Sequence, residues 1–215
     1  MTTTKNKPRG AFDFLLAMDC ETTGLCVNQD SPVINPKTGE RHQTVSWGLI
    51  VADATTLLPI EKKYLEIKWN DTSKKQRESN AKFGVGAEKV HGLTADYLEK
   101  NGITEEQAVV EIGSMILKYW SPEVSIRTLG HNVHTFDLLF LRDLFRRHEI
   151  ELKFGSRHYD TNSIAFATFG TFNSDDFFDA VGFEKRGDHN ALVDAEQALE
   201  ATRRIRIIFQ KAIEG

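Results

Sequence analysis

Cysteine is nearly absent: the 215 residues hold only Cys20 and Cys26. That excludes a disulfide framework and points to a reducing, cytoplasmic setting. Long apolar runs are missing too. No stretch approaches the ~20 residues needed to span a bilayer. The N-terminus, MTTTKNKPRG, lacks the apolar centre of a secretory signal and reads as a flexible, slightly basic tail over residues 1–10. Positive charge is not in excess, the net charge being -4. This argues against a chain that coats nucleic acid by charge alone, while leaving room for a local grip on a few phosphates. Internal repeats and low-complexity segments are also lacking.

What is present is an ordinary globular composition, 40 % hydrophobic and 27 % charged. A chain of this length buries a sizeable core, and residues 11–215 read as one domain. Phe12 to Met18 is a nearly continuous apolar run, the mark of a central strand buried on both faces. The polar stretch Val27 to His42 reads as a long surface loop. Thr44 to Asp53 and Lys63 to Trp69 look like two strands, joined as an antiparallel hairpin through the link around Leu58 and Pro59.

Short helical pieces follow between Gly84 and Lys100. Thr104 and Gln107 form a capping box. The helix it opens aligns Ala108, Ile112, Met115, Ile116 and Tyr119 on one face. A fourth strand is expected at Val124 to Gly130 and a short fifth at Arg157 to Asp160. Helices are expected at 136–148, 161–169, 174–181 and 190–212. The last carries Ala191, Ala195, Ala198, Ile205, Ile208 and Ala212 at helical spacing. Strands grouped as a hairpin and then alternating with helices predict an α/β fold, a central five-stranded mixed sheet flanked by helices.

Three acidic segments stand out. The first apolar run ends in Asp19 and Glu21, which are followed at once by Thr22, Thr23, Gly24 and Leu25. Residues two apart on a strand emerge on the same face, with Cys20 on the other. Two such carboxylates repel unless a cation lies between them, and hard divalent cations prefer oxygen ligands. A strand that simply reaches water would also end in acids. In GHNVHTFDLLFL, Asp137 falls in the first turn of a helix, where the helix dipole favours an acid with or without catalysis. His131 and His134 lack the cysteine cluster of a structural zinc site.

In DHNALVDAEQAL, His189 opens the last helix and Asp194 occupies its second turn. Small Ala191 and Ala195 permit close packing there. A buried acid is rare unless paired or metal-bound, and histidine titrates where a general base must. Lys185 and Arg186 suit either phosphate contacts or plain solvation. His91 reads as structural.

Taken together, DCETTGL, GHNVHTFD and HNALVDA resemble the three motifs of the DEDDh 3′–5′ exonucleases, a group with an RNase H-like fold that includes polymerase proofreading subunits, RNase T, oligoribonuclease and the mammalian TREX enzymes. VHGLTADYL resembles the helical segment between that family's first two motifs, and Tyr159-Asp160-Thr161 its recurring Asp-Thr. The likeness runs from about Phe12 to Ile213. Three residues separate His131-Asn132 from Phe136-Asp137, as in TREX-like members, where many others have two. The Val27–His42 insertion is longer than the family's usual link.

The resemblance implies that Asp19, Glu21, Asp137 and Asp194 hold two Mg²⁺ or Mn²⁺ ions, with His189 as the base that deprotonates the attacking water. Thr22, Thr23, Gly24 and Leu25 would receive the terminal nucleotide. The expected partner is a nucleic acid 3′ end, with DNA favoured by the TREX-like spacing and a 3′–5′ exoribonuclease as the alternative. A non-catalytic nucleic-acid-binding module is a remoter reading, since all four acids and the histidine are kept. A haloacid-dehalogenase-like phosphatase would place Asp where Glu21 stands and leave the His-x4-Asp segment unused.

Overall fold

The computed structural model describes residues 12–25, 32–69, 84–184, 187 and 189–214. The N-terminal tail, Cys26, Lys185 and Arg186 lie outside them. Strand β1 (Phe14–Thr22) is central in a sheet of order β3-β2-β1-β4-β5, completed by β2 (Thr44–Asp53), β3 (Pro59–Glu66), β4 (Thr128–Gly130) and β5 (Tyr159–Asp160). β1–β2 and β2–β3 pair antiparallel, while β1–β4 and β4–β5 pair parallel. This is the expected five-stranded mixed sheet flanked by helices, the RNase H-like arrangement.

The helices are α1 (Val85–His91), α2 (Ala95–Asn101), α3 (Glu105–Tyr119), α4 (Asp137–Arg147), α5 (Thr161–Phe169), α6 (Ser174–Ala180) and α7 (Ala191–Glu214). Alternation along β1 divides the core. Leu16, Met18 and Cys20 pack with α3 and α4, and Leu15 and Ala17 pack with α6 and α7. Burial on both faces explains the near-continuous apolar runs of β1 and β2. The capping box at Thr104 is present, and it satisfies two backbone donors that a helix start otherwise leaves open.

Several expectations differ from the structure, beginning with β1, which starts at Phe14 and leaves Phe12 exposed. β3 begins at Pro59 and ends at Glu66, earlier than the expected Lys63–Trp69. Its edge position tolerates proline at the first residue, and the Asp53 carboxylate closes the preceding turn by accepting from the N–H groups of Thr55 and Thr56. β4 is shorter than Val124–Gly130: Ile126 forms only an isolated parallel bridge to Phe154, its N–H donating to the Lys153 carbonyl.

The described part of the Val27–His42 segment is a loop exposed over residues 36–40, as expected, but fastened at its base. Ile34 bridges Arg41, Val33 is buried, and the Arg41 guanidinium meets both Asp143 carboxylate oxygens at 2.7 and 2.6 Å. Finally, α7 lies on the sheet through Ala191, Ala195, Ala198 and Ala201, then runs past it, leaving Ile208 and Ala212 exposed.

The chain leaves β1 towards β2 on one side, while β4 lies on the other and leads on to β5. The C-terminal ends of β1 and β4 therefore flank a topological switch point, the usual place for a crevice in such sheets.

Candidate active site

Asp19 and Glu21 sit at the C-terminal end of β1, opposite Gly48 and Ser46 of β2. Both project on the α7 side by strand alternation. α7 reaches them because Gly48 has no side chain. A Cβ on Gly48 would lie 2.2 Å from the backbone of Ala191 and Leu192. The close approach at a bare glycine lets the first turn of α7 rest on the sheet. Asn190 caps that turn by accepting from the N–H groups of Leu192 and Val193. Asp194 thus lies in the first turn of α7, where the helix dipole favours a carboxylate, and not in the second as the sequence suggested.

Glu21, His189 and Asp194 each present a ligand atom, all within 4.8 Å of one another. His189 Nδ1 is 3.3 Å from the Asp194 carboxylate. Asp19 and these three residues line one cavity of about 190 Å³, shared with His131, Phe136, Ser174 and Phe178. Larger hollows beside Phe145 and Ile150 gather no comparable group among the described residues.

Asp137 approaches from the opposite face. It is buried at the first position of α4, and its carboxylate accepts from the Cys20 N–H at 2.9 Å. Burial pushes this carboxyl up to about 7, with Glu21 adding to the rise, while hydrogen bonds from the Cys20 thiol and from backbone N–H groups oppose it. Burial, followed by the charges of Asp137, Asp19 and Glu21, holds the Cys20 thiol well above its ordinary range. Cys20 does face away from the Asp19 side, as its strand position requires, and meets Asp137 there.

The turn after the acids is fastened from several directions. Thr23 is buried. Its N–H donates to the Gln43 carbonyl, its carbonyl accepts from the Gly84 N–H, and its hydroxyl accepts from the Gln43 N–H. Gly24 has φ +143°, and a Cβ there would lie 2.9 Å from His42 Cε1. Burial lowers the pKa of His42. The Thr22 hydroxyl donates to the Gly24 carbonyl, and Leu25 stands exposed at the rim.

α1 holds the two halves of the site together. Its Val90 carbonyl accepts from the His189 N–H at 3.0 Å. The next residue, His91, accepts from the Leu93 N–H at Nδ1, so the ring proton sits on Nε2, 3.3 Å from the Thr22 carbonyl. Burial lowers the pKa of His91 and favours this neutral form. Asp160 ties the β4–α4 turn down by accepting from the N–H of Asn132 while capping α5.

Sequence reasoning missed Gly48 and His42. An isolated glycine inside a strand-like run such as TVSWGLIVAD signals close backbone approach, and that signal was available. Nothing local marks His42, whose partner lies across the loop. An oxygen-rich set with one imidazole suits a hard or borderline divalent cation.

The chain matches no protein-family model and no curated protein sequence. Solved structures do resemble it. E. coli exonuclease I in complex with a dT13 oligonucleotide shares 17% identity at TM-score 0.68, over 93% of this chain and 43% of that one. The zinc-bound form of its complex with single-stranded DNA gives 16% identity and TM-score 0.66, over 94% and 42%. The apo enzyme gives 17% and 0.65, over 91% and 42%. The chain thus spans about two-fifths of the length of the exonuclease I chains it matches. At this identity the likeness is one of fold.

Proposed function

We propose that this chain is a metal-dependent 3′–5′ exonuclease that releases 5′-mononucleotides, with DNA as its favoured substrate. The observation that carries the reading is the convergence of Glu21 and Asp194 with His189, in a cavity that Asp19 also lines. The acids come from two remote segments, and such a cluster is costly unless cations occupy it. The fold shared with exonuclease I supports the same reading.

Asp19, Glu21 and Asp194 would hold divalent ions, Mg²⁺ or Mn²⁺, two per site, and Asp137, on the other face of β1, would assist them. When bound, such a pair stabilises charge on both the attacking and the leaving oxygen of a phosphodiester.

The chain's own groups do the rest. His189 Nδ1 faces the Asp194 carboxylate at 3.3 Å, an arrangement in which Nε2 is the nitrogen to take a proton from the attacking water and the carboxylate stabilises the imidazolium that results. The water oxygen bonds to phosphorus, the bond from phosphorus to the neighbouring O3′ breaks, and that oxygen takes a proton from solvent. Thr22, Gly24 and exposed Leu25 receive the terminal nucleotide, and Thr23 anchors the turn beneath them.

The test uses oligonucleotides of DNA and RNA, labelled at either end, with Mg²⁺, Mn²⁺ or EDTA. Mononucleotide release from the 3′ end that stops in EDTA is expected, faster on DNA. Faster release from RNA reverses the substrate choice. Absence of any metal-dependent cleavage removes the reading.

A further inference from the structure

Three phenylalanines of one segment stand in solvent. Phe166 is 57% exposed, Phe169 47% and Phe172 68%. Phe166 and Phe172 stack on each other, with ring centroids 5.2 Å apart and planes 22° from parallel. The loop that carries Phe172 is fixed in place. Asn162 Nδ2 donates to the Phe172 carbonyl, and Asn173 caps α6 by accepting from the Asp175 N–H. An exposed aromatic pair on a pre-organised loop is the usual form of a binding surface and not of a packing accident.

The patch is linked to the candidate active site through a chain of ring contacts that passes beneath the surface, by way of buried Phe177 and Phe178. Phe169 packs on Phe177 at 6.1 Å, Phe177 on Phe178 at 5.4 Å, and Phe178 meets His131 edge-on at 6.4 Å. Phe178 and His131 both line the acid cavity. Ser174, another lining residue, is two positions from Phe172, which puts their Cα atoms within about 7.6 Å.

We propose that Phe166 and Phe172 form a platform on which bases of a single-stranded nucleic acid stack while its 3′ end occupies the acid cavity, an inference that rests on the nuclease reading above. Two near-parallel rings offer flat outer faces of the kind that nucleobases stack against, whatever the sequence. The charge pattern sets the orientation. Asp175 and Asp176, exposed at the start of α6, repel phosphodiesters, so the bases turn towards the rings and the backbone turns outward. With a net charge of -4, attraction comes from stacking more than from phosphate neutralisation. The salt dependence of binding is therefore shallow.

The experiment measures binding of fluorescein-labelled oligo(dT) and oligo(U) by anisotropy in EDTA, so that nothing is cleaved. In parallel, Mn²⁺-dependent hydrolysis of the p-nitrophenyl ester of thymidine 5′-monophosphate reports the acid cavity without a strand. Phe166→Ala and Phe172→Ala should each weaken oligonucleotide binding roughly 5- to 100-fold and leave ester hydrolysis unchanged. Phe172→Trp should bind at least as well as wild type. Phe172→Leu, which keeps apolar area without a flat ring, should resemble Phe172→Ala. Oligonucleotide binding unaltered in the alanine variants, with ester hydrolysis intact, overturns the platform alone and leaves the patch to a protein partner. Failure of the wild type to hydrolyse the ester strikes the nuclease reading instead.

Discussion

His91 Nε2 lies 3.3 Å from the carbonyl of Thr22, the last residue of the strand that carries Asp19 and Glu21. Its neighbour Val90 accepts from the N–H of His189. One short helix therefore touches both the strand that supplies two acids and the segment that supplies the imidazole. His91→Ala should lower kcat by roughly 10- to 100-fold through misplacement of these groups, with the fold kept. His91→Gln, whose amide can still donate to Thr22, should recover most of the loss. Turnover of a labelled oligonucleotide, read beside circular dichroism, makes the check, and an alanine variant as fast as wild type would discard the positioning role.

The acids and the histidine should separate in their effects. Asp19→Ala is expected to abolish metal-dependent hydrolysis while the protein stays folded. His189→Ala should slow hydrolysis by roughly 10²–10⁴-fold and leave metal binding largely intact. Titration calorimetry with Mn²⁺ beside single-turnover rates distinguishes the two. Near-normal turnover in Asp19→Ala would move the site elsewhere.

Gly48 makes a purely steric prediction. A methyl group there would lie 2.2 Å from the Ala191 backbone, and backbone cannot swing aside as a flexible side chain can. Gly48→Ala should cost about 1–3 kcal/mol of stability and displace the first turn of α7. Hydrolysis should fall with it, because Asp194 rides on that turn. Urea unfolding that matches wild type would show that α7 does not need this approach.

Asp137 makes a prediction about pH. Its folded-state pKa, about 7, lies above the ordinary carboxylate range. Between that range and about pH 7 the folded chain keeps a proton that the unfolded chain has released. The contribution of this group to stability therefore falls as pH rises through the window. Asp137→Asn should stabilise the metal-free protein at pH 8 and change it little at pH 4. Added Mn²⁺ should narrow the difference by stabilising the wild type. Thermal melts across pH in EDTA give the answer, and a pH-independent effect of the substitution would refute the burial of a titrating acid.

Much of the site was legible because its signals are local. Asp19 and Glu21 declare a shared face through strand alternation. The run ending in Met18, the Thr104 box and the small residues of α7 follow from backbone sterics and the periodicity of burial. The boundaries that moved did so for reasons outside their own segments. Ile126 is joined to Phe154 by a single isolated bridge, and Ile208 is exposed on the part of the last helix that runs past the sheet.

The sequence alone determined which segments are strands or helices and which acids stand together on one of them, since neighbouring residues dictate both. Only the tertiary structure decided that α7 comes close enough over Gly48 to set Asp194 beside Glu21. It also decided that Asp137 reaches Cys20 from behind, that α1 joins Thr22 to His189, and that Phe166 and Phe172 meet in solvent. Each of these depends on how closely elements remote in the chain can approach one another, and that is set by packing across the sheet.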